Sequence, residues 1–154
     1  MTTGFAGIVW RIMAAAWAGD PTGPVRATEG RFHHDGQLAV YTSLTSEGAG
    51  IAIRRYLGPN DPPRVILPLH VTASSLVDLR ELPDSTVACM VWQDSRDRGL
   101  PAPTWQFSDA ARAAGAQGLL YASRSRPDLT HLVLFELSPN VLRPAGPAQD
   151  WPGA

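Results

Sequence analysis

The sequence predicts an α+β fold, with a compact mixed β core and flanking helices. Three observations predict it: several short apolar segments have the length and composition of strands, two segments have helical periodicity, and turn-forming residues separate them. The chain has 154 residues, and 44% of them are hydrophobic, which is enough to bury one core. We therefore expect a single domain over residues 1–154.

Short apolar runs rich in β-branched and aromatic residues predict the strands. They cover residues 7–12, 38–41, 64–71, 87–93, 118–122 and 131–137, while residues 75–79 form either a short strand or a turn. Asp35-Gly36 predicts the tight turn before the second strand. The tail, residues 138–154, contains four prolines, which predicts irregular structure there, although Val141, Leu142 and Trp151 can still pack.

Two segments have the periodicity of helices. Thr45 or Ser46 is placed to cap the first helix, and Gly58-Pro59 ends it. Its apolar residues follow i, i+3, i+4, i+7, i+8 spacing and are expected to face inward: Ala49, Ala52, Ile53, Tyr56 and Leu57. Arg54 and Arg55 fall outside this stripe, which favours a solvated or partner-facing position. The second helix is predicted over residues 104–114, with partial burial of Trp105, Ala110, Ala111 and Ala114.

The charge distribution disfavours nucleic acid as a direct partner. The formal net charge is -1, lysine is absent, and the 13 arginines are spread from Arg11 to Arg143, so no basic patch is predicted. No apolar run approaches the ~20 residues that a membrane-spanning helix needs, which predicts a cytoplasmic protein with no membrane contact. The single cysteine, Cys89, lies in an apolar run and is interpreted as a small buried hydrophobe.

The segment from residue 30 to residue 43 places an arginine, a tyrosine and a serine around one turn and one strand: Arg31, Tyr41 and Ser43. A guanidinium binds phosphate through two parallel hydrogen bonds, and a phenol offers both a stacking face and a polar tip. This combination suits an anionic, aromatic ligand, such as a dinucleotide with a positively charged ring. His33 and His34 are adjacent, so a strand would send them to opposite faces, and no metal site is expected.

The order and spacing of several short motifs resemble the RES-domain family, the toxin half of bacterial RES/Xre toxin–antitoxin pairs. The motifs are Trp10-Arg11, Gly30-Arg31-Phe32, Tyr41-Thr42-Ser43, Asp78-Leu79, Tyr121-Ala122-Ser123 and Leu132-Val133-Leu134-Phe135, and they extend over most of the chain. The resemblance implies an ADP-ribosyltransferase-like fold, cleavage of NAD+ between nicotinamide and ribose, and a cognate Xre-type antitoxin as partner. Water, inorganic phosphate or a protein target would accept the ADP-ribose, and the sequence leaves all three open.

The resemblance also implies which residues form the site. Arg31 and Tyr41, with the residue at position 52, are the catalytic candidates. NAD+ is expected to contact Arg11, Arg31, Tyr41, Ser43 and Ser123. Because nicotinamide leaves as a neutral base, positive charge develops on the ribose, and a nearby carboxylate would stabilise it while arginines hold the pyrophosphate. Arg11 follows a tryptophan in an apolar strand and is expected to need an anionic partner.

Position 52 departs from the family pattern. RES proteins usually carry a glutamate in the helix eleven residues beyond the motif tyrosine, and this chain has Ala52. The alanine is either an introduced change that removes toxicity or a natural feature, and Glu47 in the same helix is an alternative acid that is expected to point away from the stripe. The sequence therefore predicts a catalytically impaired NAD+-cleaving toxin; the alternative is a non-catalytic NAD-binding or partner-binding module.

Overall fold

The computed structural model describes residues 2–80 and 91–152. In these residues the chain forms seven strands: β1 (Thr2–Ala14), β2 (Val40–Ser43), β3 (Arg64–Asp78), β4 (Gly118–Ala122), β5 (Thr130–Leu134), β6 (Leu142–Pro144) and β7 (Gln149–Trp151). The same residues contain three α-helices, α1 (Ser46–Ile53), α2 (Trp92–Asp97) and α3 (Trp105–Ala113), and two 3-10 turns, Ala15–Trp17 and Arg54–Tyr56. This is the mixed α+β architecture that the sequence predicts. Across the described ranges, every helix is too short or too polar to cross a membrane.

The sheet closes on itself because β1 pairs with two different strands. β1 pairs antiparallel with β2, and along its whole length with β3, from Thr2 opposite Val77 to Ala14 opposite Arg64. The ring is completed by β5 beside β2, β4 beside β5, and β3 parallel to β4. β6 and β7 pair with the other edge of β3. Closure gives the sheet an inner face that is shielded from water, and the core lies there.

Alternation along β3 explains the larger apolar cluster. Four residues at every second position are buried: Val65, Leu67, Leu69 and Val71, as expected for a strand with one inward face. Burial of each leucine contributes about 1.5–3 kcal/mol. A second cluster joins Ala111 of α3 to Phe32 and Tyr121. Because Phe32 is fully buried in this second cluster, it anchors the loop that carries its neighbour Arg31.

Most predicted elements are present with shifted boundaries. β4 coincides with the predicted strand, the predicted segments 64–71 and 75–79 join into β3, and the second predicted helix contains α3. β2 begins at Val40, two residues later than predicted. The predicted turn before it is confirmed: Asp35 and Gly36 have φ of 52° and 74°, and the N–H of Gln37 donates to the carbonyl of His34 at 2.9 Å.

Three predicted segments differ from the structure. Residues 92 and 93 begin α2 instead of ending a strand, while residues 87–90 of that predicted strand, with Cys89, lie outside the described residues. β5 ends at Leu134 because the next N–H donates to the carbonyl of Gln117 at 2.8 Å. The proline-rich tail forms β6 and β7, since both add to the edge of β3, where a strand tolerates prolines.

Helix α1 is capped as predicted, but its buried face differs. The hydroxyl of Thr45 accepts a hydrogen bond from the N–H of Gly48 at 2.9 Å. The buried residues are Gly48, Ala49 and Gly50, whereas Ile53 is half-buried and Ala52, Tyr56 and Leu57 are exposed. Small residues allow close packing: a Cβ on Gly48 would lie 3.1 Å from Oγ1 of Thr45 and 3.2 Å from Cβ of Ser43. The prediction that Ala52, Tyr56 and Leu57 pack into the core is therefore wrong.

Helix α3 buries a different set of residues from the predicted one. Trp105 and Ala111 are buried as expected, whereas Ala110 and Ala114 are exposed. Ser108 is buried in their place, and its hydroxyl donates to the carbonyl of Trp105 at 3.3 Å. That bond satisfies the hydroxyl within the helix, which is why a serine can face the core.

Candidate functional site

One cavity collects all the site residues that the sequence predicts. Its volume is about 550 Å³, within the usual size range for small-molecule sites. The wall includes Arg11 from β1, Arg31 from the loop before β2, Tyr41 and Ser43 from β2, Ala52 from α1, and Ser123 directly after β4. These side chains come from three elements and two loops, so the closed sheet is what brings them to a common surface.

The hydroxyl of Tyr41 holds the loop that carries Arg31. It accepts a hydrogen bond from the N–H of Phe32 at 2.9 Å and lies 2.7 Å from Nδ1 of His33. Nε2 of His33 lies 2.9 Å from the carbonyl of Ala27, which only accepts, so Nε2 carries the proton and Tyr41 donates to Nδ1. Burial lowers the pKa of His33 and raises the pKa of Tyr41. The phenol oxygen is therefore engaged by the protein, and a ligand meets Tyr41 through its ring.

Gly30 packs directly against the side chains of His33 and Tyr41. A Cβ at this position would be 2.5 Å from Cε1 of His33 and 3.1 Å from the hydroxyl of Tyr41. Both distances are shorter than a van der Waals contact, so any side chain here would push the imidazole away from its partners. Close packing against His33 and Tyr41 therefore explains why the residue before Arg31 is a glycine.

The start of α3 holds the backbone at Arg31 from the other side. Nε1 of Trp105 donates to the carbonyl of Gly30 at 2.8 Å. The hydroxyl of Thr104 donates to the carbonyl of Arg31 itself. Thr104 is fully buried and Trp105 is nearly so, and both bonds are shielded from water. The position of Arg31 is thus set by contacts from a helix that lies more than 70 residues later in the chain.

The end of α3 adds a second attachment through Arg112. Its guanidinium donates to the carbonyl of Phe32 at 2.8 Å and to that of Leu38 at 2.9 Å. The same group lies over the ring of Phe135, with Cζ 3.8 Å from the ring centroid. Burial lowers the pKa of Arg112. Arg112 bridges both ends of the loop, so we regard it as a positioning residue for Arg31.

Arg11 is a buried cation with an acidic neighbour, as the sequence predicts. Its side chain is 6% exposed and donates to the carbonyl of Pro21 at 2.8 Å. Burial lowers the pKa of Arg11 to about 10, while the charge of Asp20 acts in the opposite direction. Arg11 therefore stays protonated at pH 7. Asp20 and Arg11 both line the cavity, and each offsets the charge of the other.

Ser43 pairs with a histidine that sequence reasoning missed. Oγ of Ser43 lies 2.6 Å from Nδ1 of His131, and both residues are buried. Burial, and to a smaller extent the charge of Arg31, lower the pKa of His131 to about 4. The imidazole is neutral at pH 7. Only the pairing of β2 with β5, which places Ser43 opposite His131, could have identified this pair.

Exchange of His131 for asparagine is expected to change how stability depends on pH. The folded-state pKa of about 4 lies below the unfolded value of 6.5, so the unfolded chain takes up the proton first as the pH falls. At ~1.4 kcal/mol per pKa unit, the native histidine lowers the free energy of unfolding by about 2 kcal/mol at pH 5. Urea unfolding at pH 7.5 and pH 5 should therefore show a smaller acid-induced loss for His131→Asn than for the native chain. Equal losses would contradict the depressed pKa.

Ser123 and Ala52 take different positions on the wall. Ser123 is buried, and its hydroxyl accepts the N–H of Arg126 at 3.3 Å, which is the contact of a turn hydroxyl. Ala52 is exposed to the cavity. Glu47, the alternative acid, lies outside the wall and forms a surface ion pair with Arg126 at 2.7 Å. On α1, the cavity therefore meets a methyl group where the family resemblance leads us to expect a carboxylate.

Apart from Arg64, which pairs with Asp61, three further arginines line the cavity and were not predicted as site residues: Arg26, Arg55 and Arg124. Their guanidinium groups, like that of Arg31, form no hydrogen bond or ion pair with any residue in the described ranges. The pKa of Arg55 is lowered by burial and then by the charges of Arg31 and Arg124, so these three cations are neighbours. Arg55 lies in the 3-10 turn Arg54–Tyr56 and lines the cavity, whereas the helical spacing predicts a solvated or partner-facing position for it.

The two adjacent histidines lie before β2, not in a strand as assumed from the sequence, and they have separate partners. His33 faces Tyr41, whereas the ring nitrogens of His34 each lie 2.8 Å from a carboxylate, of Asp35 and of Asp109. Although burial acts in the opposite direction, hydrogen bonds to Asp109 and Asp35 raise the pKa of His34. Within the part of the chain that the structure describes, no group of three or more His, Cys, Asp or Glu residues is placed to hold a metal.

The closed mixed sheet and the arginine-rich cavity beside it define a small α+β fold. A family model described as RES domain matches residues 8–152, so the chain belongs to the RES domain family. The structure is also similar to one described as the crystal structure of the M. tuberculosis MbcT–MbcA toxin–antitoxin complex, with a TM-score of 0.70 and 17% sequence identity. That match covers 97% of this chain and 86% of the other, and it indicates a shared fold. No curated protein sequence matches the chain.

Proposed function

We propose that the chain is the toxin of a toxin–antitoxin pair, that its cavity binds NAD+, and that Ala52 leaves it catalytically impaired. Family membership and the fold shared with a toxin–antitoxin complex support the toxin role. The observation that carries the ligand assignment is the convergence of unpaired guanidiniums on the cavity that also contains Tyr41 and Ala52. An Xre-type antitoxin would neutralise the toxin by covering this cavity.

The arginine cluster fits the pyrophosphate of a dinucleotide. Arg31, Arg55 and Arg124 are close enough to repel one another, and each has donors free for phosphate oxygens. Bidentate guanidinium–phosphate bonds are stronger than neutral hydrogen bonds, and an anion between the three groups also relieves their repulsion. The ring of Tyr41 and the neutral Ser43–His131 pair border the same space, which leaves room for a ribose and its base.

The proposed reaction breaks the C–N bond between nicotinamide and ribose. Both bonding electrons leave with the nicotinamide, whose ring becomes neutral, and positive charge develops on the ribose. A carboxylate at position 52 would stabilise that charge, and water, phosphate or a protein side chain would then donate the electron pair that forms the new bond. The last of these acceptors would make the domain ADP-ribosyltransferase-like in activity.

A second candidate function is a non-catalytic module that binds a nicotinamide dinucleotide or a partner. One observation favours it: the position on α1 where a catalytic acid is expected carries a methyl group. The two acids that the described wall does contain, Asp20 and Glu29, face Arg11 and Arg96. The Ala52→Glu variant distinguishes the two functions, because only the catalytic one predicts that this variant releases nicotinamide.

Loss of the Arg31 side chain is expected to weaken binding of NAD+. Arg31→Met keeps much of the side-chain volume but removes hydrogen bonds to phosphate, which are worth about 1.5–3 kcal/mol when charged groups form them. Isothermal titration calorimetry should therefore give a dissociation constant about 10- to 100-fold higher. Arg98→Met is the matched control, because Arg98 is exposed at the end of α2 and lies outside the cavity. Equal affinities for the two variants would contradict the proposed site.

A further inference from the structure

The charges on the cavity wall are unbalanced. Six arginines and two acidic residues line it among the residues that the structure describes. One of the arginines, Arg64, is neutralised from outside the wall by Asp61, with a shortest contact of 2.7 Å. Both acids act on other cations: Glu29 lies 3.0 Å from Arg96, and the charge of Asp20 raises the pKa of the buried Arg11. What remains on the wall, among residues 2–80 and 91–152, is positive charge without a carboxylate to offset it.

Four guanidinium groups supply this excess charge: Arg26, Arg31, Arg55 and Arg124. None of them forms a hydrogen bond or an ion pair with another residue of the described ranges. A pyrophosphate would neutralise part of this charge, since it carries two negative charges. A cationic ring bound in the same cavity would still be repelled by the remainder, because charges interact strongly in a partly enclosed site.

Two of the six aromatic side chains on the described wall do not compensate for this repulsion. A pyridinium ring usually gains stabilisation from the face of an aromatic side chain. Here the ring of Trp17 already carries Arg26, whose Cζ is 3.2 Å from the ring centroid. The ring of Tyr121 carries Arg31 at 5.9 Å. These two aromatic faces are therefore already occupied by guanidiniums, and a positively charged ligand ring would have to compete with them.

We infer that this cavity selects for a nicotinamide dinucleotide with an uncharged ring, so that it binds the reduced form, NADH, more tightly than NAD+. The inference rests on the proposed function, because it takes a nicotinamide dinucleotide as the ligand. NADH and NAD+ share the adenine, both riboses and the pyrophosphate, and they differ by one hydride and by the charge of the nicotinamide ring. One unit of charge near the unpaired cations is expected to change affinity by about tenfold.

Calorimetric titration of the purified chain with NADH and with NAD+, at 0.1 M sodium chloride and pH 7.5, tests this selectivity. We expect the dissociation constant of NADH to be about tenfold lower than that of NAD+. Equal constants, or tighter binding of NAD+, would overturn the inference and leave the proposed dinucleotide site intact. Failure of both nucleotides to bind would overturn the proposed function together with the inference.

Two neighbouring arginines provide a matched pair of variants. Arg55 lines the cavity, whereas Arg54 is exposed and lies outside its wall. Arg55→Met should lower the ratio of the dissociation constant of NAD+ to that of NADH, because it removes one of the repelling charges. Arg54→Met should leave this ratio unchanged. If the ratio in Arg55→Met stayed at the native value, the arginine cluster would not be its cause and the inference would fail.

Discussion

Exchange of Ala52 for glutamate is expected to produce an enzyme that releases nicotinamide from NAD+ and arrests a bacterial host. Ala52 is exposed on the cavity wall, so a longer side chain can extend into the cavity without disturbing the core. Groups aimed at transition-state charge are typically worth ~10²–10³ in rate, and we expect at least that increase. Chromatographic measurement of released nicotinamide, together with host growth and cellular NAD+, provides the readout.

The matched control for this experiment is Ala52→Gln. Glutamine has nearly the size of glutamate but carries no charge, so it should bind nucleotide without releasing nicotinamide. Comparable activity of the two variants would mean that bulk, and not charge, is what the site requires. If Ala52→Glu folds normally but leaves nicotinamide, growth and NAD+ at their original levels, the catalytic proposal is wrong and the non-catalytic module becomes the better explanation.

Replacement of Arg112 by methionine is expected to weaken NAD+ binding at least tenfold, although Arg112 lies outside the cavity wall. The change removes two charged donors from the carbonyls of Phe32 and Leu38, at an expected cost of about 3 kcal/mol in stability. Methionine retains apolar contact with Phe135. Once both ends of the loop are released, Arg31 samples more positions and loses its fixed approach to phosphate. Calorimetry and urea unfolding measure the two effects separately.

Two further variants distinguish positioning from general stabilisation. Arg143→Met alters an exposed arginine of β6 and should change neither stability nor affinity. Arg112→Lys keeps the charge but has a single nitrogen, so it should recover one carbonyl contact and an intermediate affinity. If Arg112→Met unfolds more easily but its folded fraction binds NAD+ as tightly as the native chain, Arg112 supports the fold and does not position Arg31.

Local sequence signals were sufficient for part of the fold. The turn at Asp35-Gly36 needs two left-handed residues, and the sequence supplies an aspartate and a glycine there. Thr45 caps α1 through its own side chain, which is also a local interaction. β6 and β7 could not be predicted in this way, because their prolines argue against strands and only the free edge of β3 makes them possible.

In the candidate site, too, only the residues that lie in one short segment could be predicted. Arg31 and Tyr41 were found because they belong to one short segment whose residue types suit an anionic, aromatic ligand. The Ser43–His131 pair and the neighbouring Arg124 were missed because they join the site only when β5 and β4 pair beside β2. The hydrogen bonds from Trp105 and Arg112 to the Arg31 loop could not be predicted from the sequence either, because their acceptors are backbone carbonyls, which every residue possesses.

Because the guanidiniums of Arg31, Arg55 and Arg124 are neighbours, the stability and ligand affinity of this protein should depend on the salts in the buffer. Dissolved salt screens like charges over about 8–10 Å at 0.1–0.15 M, so moderate ionic strength should raise the melting temperature of the ligand-free chain. Inorganic phosphate or sulfate in a buffer would compete for the same donors and lower every apparent nucleotide affinity. Comparisons between variants, or between relatives, therefore carry meaning only in chloride solutions of matched ionic strength.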